Sequence, residues 1–139
     1  MDRTSKSLRK PAIVIAKSDH ERLAALADMA LARFPEVAEE LHVELERARR
    51  TPDAAVPGST VRMGSTVAYR VAESTLRTVT LVYPEDADIS LGRVSILTPI
   101  GTALIGLSTG QSIDWRTRDG HVQRLTVETV SPPSSAAKA

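Results

Sequence analysis

The sequence contains no cysteine, which excludes a disulfide framework, a thiolate metal site and a cysteine nucleophile. Aromatic residues make up only 3% of the chain, so recognition of nucleic acid through stacked bases is not expected. No apolar run approaches the roughly 18 residues that would span a bilayer. Neither charge sign dominates, and a net charge of +1 argues against nucleic-acid binding through bulk electrostatics.

The rest of the composition is typical of a soluble protein with an ordinary core, since 42% of the residues are apolar and 25% are charged. The first ten residues are polar and basic and lack the apolar stretch of a secretory signal. We therefore expect a cytoplasmic protein that does not associate with membranes. A chain of 139 residues supports one ordinary domain with a short appendage.

Two amphipathic helices are predicted after a short apolar strand at Ile13-Val14-Ile15. Ser18 and Glu21 have the spacing of a capping box, which marks a helix start. Pro35 cannot continue that helix, but it suits the first turn of a second one. The apolar residues of each helix recur at three- and four-residue intervals: Leu23, Leu26, Ala30, Leu31 and Phe34, then Val37, Leu41, Leu45 and Ala48. A short antiparallel helical hairpin follows from these two stripes.

The apolar period then changes to two residues, which predicts β-strands. Five are expected, at residues 66–71, 78–83, 94–96, 113–115 and 125–129. Asp119-Gly120 is a strong turn signal between the last two. Thr98 can cap one short helix that begins at Pro99. An antiparallel sheet covered by one short helix, behind a helical hairpin, places the chain in the α+β class.

Composition also divides the chain into expected segments. Residues 1–10 form a disordered leader, and residues 11–50 form the strand and the hairpin. Residues 51–58, which contain two prolines and a glycine, form a linker to a sheet domain at 59–130. A disordered Pro/Ser/Ala-rich tail is expected at 131–139.

Nothing in the sequence favours catalysis, a cofactor or a metal site. His20, His42 and His121 lie in three different predicted elements and form no close-spaced pair. No dinucleotide fingerprint, phosphate-binding glycine loop or nucleophile elbow occurs. We therefore expect a protein that is not an enzyme and that needs no cofactor.

Three carboxylates cluster at the predicted bend of the hairpin: Glu36, Glu39 and Glu40. In a purely structural interpretation they complement the helix dipole, which stabilises a helix by about 0.3–1 kcal/mol each. In a functional one they form a tip that approaches a metal ion or a basic channel in a partner. Glu36 and Glu39 lie on one helix face and could approach one Mg²⁺ ion, but two carboxylates are too few for a tight site.

Residues 94–107 (VSILTPIGTALIGL) and 110–113 (GQSI) resemble the C-terminal domain of the transcript-cleavage Gre factors. That family carries Ser-Pro-Ile/Leu-x-x-Ala-Leu-hydrophobic-Gly and then Gly-Asp-hydrophobic. Here Thr98 replaces the serine and Gln111 replaces the aspartate. Residues 11–15 (PAIVI), 44–48 (ELERA) and 80–84 (TLVYP) are similar to the Rnk-type regulators of nucleoside diphosphate kinase. Together these stretches extend the resemblance over residues 11–130.

This resemblance implies an FKBP-like sheet domain that docks on RNA polymerase at the entrance of its secondary channel, with Thr98, Pro99 and Ile100 in the docking surface. It also implies a coiled-coil arm, whose tip here carries Glu36-x-x-Glu39 in place of the Asp-x-x-Glu of Gre factors. The first predicted helix, residues 19–33, spans only about 22 Å, roughly half of a Gre arm. Rnk-like proteins share this short arm and are understood to bind polymerase without stimulating RNA cleavage. We therefore expect competition with Gre factors for one site, without cleavage.

Two alternatives stay open. The protein could be an adaptor that affects nucleoside diphosphate kinase and nucleotide levels, directly or indirectly, through another partner. It could also be a weak Gre-like cleavage stimulator that uses Glu36 and Glu39. Contact with DNA is expected only through the transcription complex. Prolyl isomerase activity is not expected, because FKBP-type enzymes enclose proline in an aromatic pocket and this domain offers few aromatic side chains: Tyr69, Tyr83 and Trp115.

Overall fold

The computed structural model describes residues 11–116 and 120–133, and its elements form two groups. The first group is a pair of helices with a short strand at each end: β1 (Val14–Ala16), α1 (Lys17–Ala30), α2 (Pro35–Arg47) and β2 (Arg49–Thr51). The second is a sheet with one helix: β3 (Thr66–Val71), β4 (Arg77–Val82), β5 (Arg93–Ser95), α3 (Pro99–Leu104), β6 (Ser112–Arg116) and β7 (Val122–Ser131). The α+β class predicted from the sequence is therefore correct.

The helices α1 and α2 form the predicted antiparallel hairpin. His20 Nε2, near the start of α1, donates to the carbonyl oxygen of Leu45 near the end of α2, at 2.9 Å. Closer to the bend, His42 Nε2 lies 3.1 Å from Asp28 Oδ1. Both helices bury the faces that meet: Leu23, Ala27, Ala30, Ala38, Leu41 and Leu45. Across the described ranges, no helix combines the length and the apolarity needed to cross a membrane.

The base of the hairpin is closed by the parallel pairing of β1 with β2, in which Val14 lies opposite Arg49. β2 was not predicted, because its charged sequence Arg49-Arg50-Thr51 has no apolar alternation. The expected linker is also partly ordered, since Thr51 belongs to β2 and residues Asp53–Ala55 form a 3₁₀ turn. Strand pairing thus holds the start and the end of the hairpin chain together at its base.

The large sheet has the strand order β5-β4-β3-β7-β6 and contains all five predicted strands. The prediction of a wholly antiparallel sheet is wrong at one pair, because β4 and β5 are parallel. Residues 83–92, with 3₁₀ turns at Pro84–Asp86 and Ile89–Leu91, carry the chain back before β5 begins. Ser131, assigned to the tail, pairs with Thr66 at the end of β7. The predicted leader, most of the tail and Asp119 of the predicted turn lie outside the described residues.

One hydrophobic core joins the two groups of elements. It contains side chains from the hairpin, from β1, from the sheet and from α3 with its following loop, among them Leu23, Leu41, Ile13, Ile15, Val67, Leu81, Leu125, Leu104 and Leu107. Burying each such side chain stabilises the fold by about 1.5–3 kcal/mol. The hairpin is therefore anchored in this core as far as Ala27 and Leu41, and the side chains of Met29 and Phe34 near its bend are exposed.

The loop after α3 connects the hairpin base to the segment before β3 through the backbone. The Val14 N–H donates to the Gly106 carbonyl at 3.3 Å, the Gly106 N–H donates to Val61 at 3.1 Å, and the Val61 N–H donates to Leu107 at 2.7 Å. Gly106 has a φ of +83°, and a Cβ at this position would lie 2.9 Å from the Cβ of Ile13. Glycine is required here both for its backbone angle and for the close approach of β1.

We predict that Gly106→Ala destabilises the protein more than Gly110→Ala does. Both glycines have a positive φ, but a Cβ at Gly110 would meet nothing within 4 Å. Gly110→Ala should therefore cost only the strain of a left-handed residue, about 1–2 kcal/mol. Gly106→Ala should cost roughly 1–3 kcal/mol more through the clash with Ile13. The free energies of unfolding in urea measure both effects, and equal losses would contradict this account of the joint.

Candidate functional site

The tip of the hairpin displays the three predicted carboxylates on the first turns of α2. Glu36, Glu39 and Glu40 all have exposed side chains. The helix dipole accounts for Glu36, which lies in the first turn of a helix whose N-cap residue, Phe34, makes no capping hydrogen bond. Among the described residues no group of three or more His, Cys, Asp or Glu side chains is placed to hold a metal ion. The three exposed carboxylates make the tip an acidic surface.

Exposed apolar side chains accompany these carboxylates. Met29 is 78% exposed and Phe34 is 49% exposed, and Leu31 beside them is also exposed. The predicted apolar stripe had included Leu31 and Phe34, but α1 ends at Ala30 and the turn directs both side chains outward. The tip therefore combines negative charge with apolar surface, whereas the sequence pattern had placed Leu31 and Phe34 on the apolar face of the hairpin.

At the other candidate surface, the start of α3 is held rigidly. Thr98 Oγ1 accepts a hydrogen bond from the Gly101 N–H at 3.0 Å and donates one to the carbonyl oxygen of Ser95 at 2.7 Å. The predicted cap is therefore confirmed, with Pro99 as the first helical residue. A Cβ at Gly101 would lie 2.4 Å from the Ser95 carbonyl oxygen, so the helix start is pressed against the end of β5.

The three residues predicted to dock a partner line a single groove of about 650 Å³. The groove is lined by Tyr69, Val71, Ala72, Ser74, Arg77, Thr98, Pro99, Ile100, Trp115 and Gln123. The structure thus brings Thr98, Pro99 and Ile100 together with residues from β3, β4, β6 and β7. Trp115 had been assigned to the core, but it is only partly buried and contributes to the groove wall.

One wall of the groove is a tight turn after β3. Ala72 has a φ of +54°, a left-handed conformation that costs a residue with a side chain roughly 1–2 kcal/mol. The Ala72 N–H donates to the Arg124 carbonyl at 2.7 Å, and Ser74 Oγ donates to the Val71 carbonyl at 2.7 Å. Arg70 Nη1 also donates to the Ser74 carbonyl at 3.0 Å. These bonds hold the strained turn in place, and no sequence pattern had indicated it.

A smaller pocket, of about 330 Å³, lies where the hairpin base meets the sheet domain. The Arg22 guanidinium stacks 3.8 Å from the centroid of the Tyr83 ring and lies 3.2 Å from Glu85 Oε2. The Met63 N–H donates to Asp19 Oδ2 at 3.3 Å. Burial raises the pKa of Asp19, and burial also raises the pKa of Tyr83 to about 12. These polar contacts connect α1 to Met63 before the sheet and to Tyr83 and Glu85 after β4.

The start of α1 is capped by a residue from far along the chain. The helix begins at Lys17, so Ser18 lies inside its first turn and the predicted capping box with Glu21 is wrong. The Ser18 N–H donates to Asp53 Oδ1 at 3.0 Å, and its hydroxyl donates to Asp53 Oδ2. These hydrogen bonds from Ser18 lower the pKa of Asp53. Asp53 lies in the predicted linker, where its role could not be inferred from local spacing.

Comparisons with known proteins agree with this architecture. Residues 56–132 match the family model for the C-terminal domain of the transcription elongation factors GreA and GreB. Residues 11–50 match the model for the Rnk N-terminus. The chain therefore belongs to the GreA/GreB family and has the N-terminal segment of its Rnk branch.

Individual relatives give the same result. The chain is 35% identical over 122 residues to the regulator of nucleoside diphosphate kinase from Escherichia coli strain K12, covering 86% of this chain and 89% of that protein. It is 34% identical over 124 residues to the transcription elongation factor GreA from Rhodospirillum rubrum, covering 83% and 79% of the two chains. A solved GreA/GreB elongation factor from Nitrosomonas europaea superposes with a TM-score of 0.69 at 40% identity, covering 88% of this chain and 99% of that one. These relatives are named as regulators and elongation factors.

We predict that Asp19→Asn changes the pH dependence of stability in a defined direction. Because burial raises the pKa of Asp19, its charged form is less favourable in the folded state than in the unfolded chain. The wild-type protein should therefore lose stability as the pH rises from about 4 through the folded-state pKa. The asparagine can still accept from the Met63 N–H and does not ionise.

Urea unfolding of both proteins between pH 4 and pH 7 measures this effect. The stability of Asp19→Asn relative to the wild type should increase with pH across that interval. A relative stability that instead falls with pH would show that Arg22 and Arg62 favour the carboxylate more than burial penalises it.

Proposed function

We propose that this protein binds RNA polymerase at the entrance of its secondary channel and regulates transcription by occupying the site that Gre-type factors use. The sheet domain docks through the groove at Thr98, Pro99 and Ile100, and the hairpin points its acidic tip toward the channel. The protein acts in the cytoplasm, has no enzymatic activity of its own and approaches DNA only within the transcription complex. Membership of the GreA/GreB family supports this proposal most directly.

The length of the hairpin carries the second part of the proposal, that the bound protein does not stimulate RNA cleavage. The helix α1 has 14 residues and α2 has 13. At about 1.5 Å per residue the arm is roughly 21 Å long, and the shared core includes its residues as far as Ala27 and Leu41. The free part is too short for its carboxylates to reach a catalytic centre deep inside the channel.

Charge and shape at the tip fit occupancy of a channel mouth. Glu36 and Glu39 are three residues apart, as the acidic pair of a Gre tip is, but both are glutamates. Phe34 and Met29 expose apolar surface next to them. Such a tip is suited to contact protein at the channel entrance rather than to position a metal ion.

We also propose finer structural assignments that accord with this function. The five-stranded sheet with one short helix is FKBP-like, and the hairpin is a short coiled coil. The functional units are the hairpin unit at residues 11–50 and the docking domain at 59–130, joined by the segment that contains Asp53. The shared core keeps the two units in one orientation.

A second candidate function is an effect on nucleoside diphosphate kinase. It is supported by the name of the E. coli relative, which matches 86% of this chain. Such an effect is indirect in our proposal, through altered transcription by the occupied polymerase.

Competition on purified core polymerase tests the proposed site. The protein should displace a fluorescently labelled Gre factor in a concentration-dependent way. Pro99→Ala should weaken this competition roughly two- to tenfold, the effect of losing one apolar interface contact. Gly58→Ala, an exposed linker change with no neighbour within 4 Å, serves as the control and should compete as well as the wild type. Binding without displacement of the Gre factor would place the protein elsewhere on the polymerase.

Halted elongation complexes test the absence of cleavage. Saturating amounts of the wild-type protein should not raise the rate of nascent-RNA cleavage above the intrinsic rate of the polymerase. A Gre factor tested in parallel should raise that rate and shorten the RNA. The double change Glu36→Gln with Glu39→Gln should bind polymerase and leave this result unaltered. If the wild type stimulates robust cleavage and the double change abolishes it, the carboxylates at the tip take part in cleavage and this part of the proposal is wrong.

A further inference from the structure

Sulfur is scarce in this chain, and its exposure is uneven. The sequence has three methionines and no cysteine, so oxidation of sulfur falls on methionine alone. Met29 is 78% exposed, whereas Met63 is 8% exposed. Met1 lies outside the described residues. In the part of the chain that the structure describes, Met29 is therefore the one methionine that is open to solvent.

The fold protects the other described methionine. Met63 belongs to the hydrophobic core that joins the hairpin to the sheet, together with Leu23 and Leu81. Its N–H donates to Asp19 Oδ2 at 3.3 Å, which holds its backbone against the start of α1. Met63 borders the smaller pocket, but it remains almost fully buried. Because susceptibility to oxidation follows exposure, an oxidant in solution attacks Met29 more readily than Met63.

Met29 belongs to an apolar cluster at the bend of the hairpin. It is the penultimate residue of α1, and Leu31 and Phe34, which follow it, are also exposed. The nearest charges along the chain on either side include two carboxylates, Asp28 and Glu36. Three large apolar side chains exposed within one bend form a surface whose removal from water by a partner is favourable. The thioether contributes to such a contact mainly as apolar surface, because its sulfur is only a weak acceptor.

We propose that Met29 is a modification site at which a peroxide weakens the contact between the hairpin tip and RNA polymerase. The Met29 sulfur attacks one peroxide oxygen, the S–O bond forms and the O–O bond breaks. The second oxygen leaves with the bonding electron pair and takes the proton of the transferred hydroxyl, so that it departs as water, or as an alcohol from an organic peroxide. The sulfur is oxidised by two electrons, and the peroxide is reduced by the same two. This inference rests on the proposed polymerase-binding function.

The product changes the tip without changing the fold. A sulfoxide is polar and its oxygen accepts hydrogen bonds, so transferring it from water to an apolar contact is unfavourable. The buried face at this end of α1 consists of Ala27 and Ala30, and Met29 lies outside it. The hairpin should therefore stay folded while its tip binds less tightly. Methionine sulfoxide can be reduced back to methionine enzymatically, which makes the change reversible.

Treatment of the full-length protein with hydrogen peroxide tests the chemical part of this proposal. Peptide mass spectrometry follows the addition of oxygen at each methionine with time. Met29 should be oxidised at least about tenfold faster than Met63, as their exposures require. Circular dichroism and the urea midpoint should be unchanged at the stage when only Met29 carries oxygen. Equal rates at the two residues, or unfolding that accompanies oxidation of Met29, would contradict the assignment.

Competition with a labelled Gre factor on purified core polymerase tests the functional part, after catalase has removed the peroxide. Oxidised wild-type protein should compete about three- to tenfold less well than untreated protein. Met29→Leu cannot be oxidised at this position and keeps both the apolar surface and the helix propensity, so it should compete equally before and after peroxide. Met29→Gln places a polar group of similar length at the tip and should compete weakly without any peroxide. Methionine sulfoxide reductases of both stereospecificities should restore the oxidised wild type.

The possible results separate this inference from the proposed function. Full competition by protein whose Met29 is oxidised overturns the inference and leaves polymerase binding intact. An equal loss in Met29→Leu after peroxide also overturns it, because the sensitive group then lies elsewhere. If the untreated wild type does not bind polymerase, both the proposed function and this inference are wrong.

Discussion

The close approach of three backbone segments at Gly106 determines how the two parts of this protein are arranged. Hydrogen bonds from Val14 and to Val61 place β1 against the loop after α3, and only a residue without a side chain fits beside Ile13. Because β1 continues directly into α1, this joint also directs the helical arm. The groove at Pro99 lies at the opposite end of the short helix α3, so both candidate surfaces depend on the same six-residue element.

Hydrogen bonds and ion pairs surround the apolar core at the base of the hairpin. Asp53 caps α1 from across the linker, and Arg22 stacks on Tyr83 while pairing with Glu85. At the opposite side of the hairpin base, Arg47 binds buried Glu44 and also donates to the Pro11 carbonyl. Exposed pairs of this type add little stability, whereas the buried pair is costly to break. All of these contacts join the hairpin or the segments at its base to residues far along the chain or to its buried side.

Local patterns in the sequence predicted the helices and the strands of the large sheet, but neither the charged strand β2 nor the long-range partners of the elements. The apolar stripe around Leu41, the alternation around Val67 and the cap at Thr98 each predicted an element that the structure contains. The pairing of the charged strand β2 and the cap from Asp53 depend on residues far apart in the chain, which periodicity does not detect. The same limit applies to the groove, where Pro99 was anticipated but Arg77 and Trp115 join it only after the sheet has formed.

Both ends of the hairpin chain are held at its base by the pairing of β1 with β2. The length of the arm can therefore change without changing how the arm is attached. Seven residues added to each helix would extend the arm by about 10 Å and return the apolar stripes to nearly the same faces. None of the contacts at β1, β2 or Gly106 would change. Paired insertions near the bend can therefore give related proteins arms of different length, while the sheet domain and the groove at Pro99 stay unchanged.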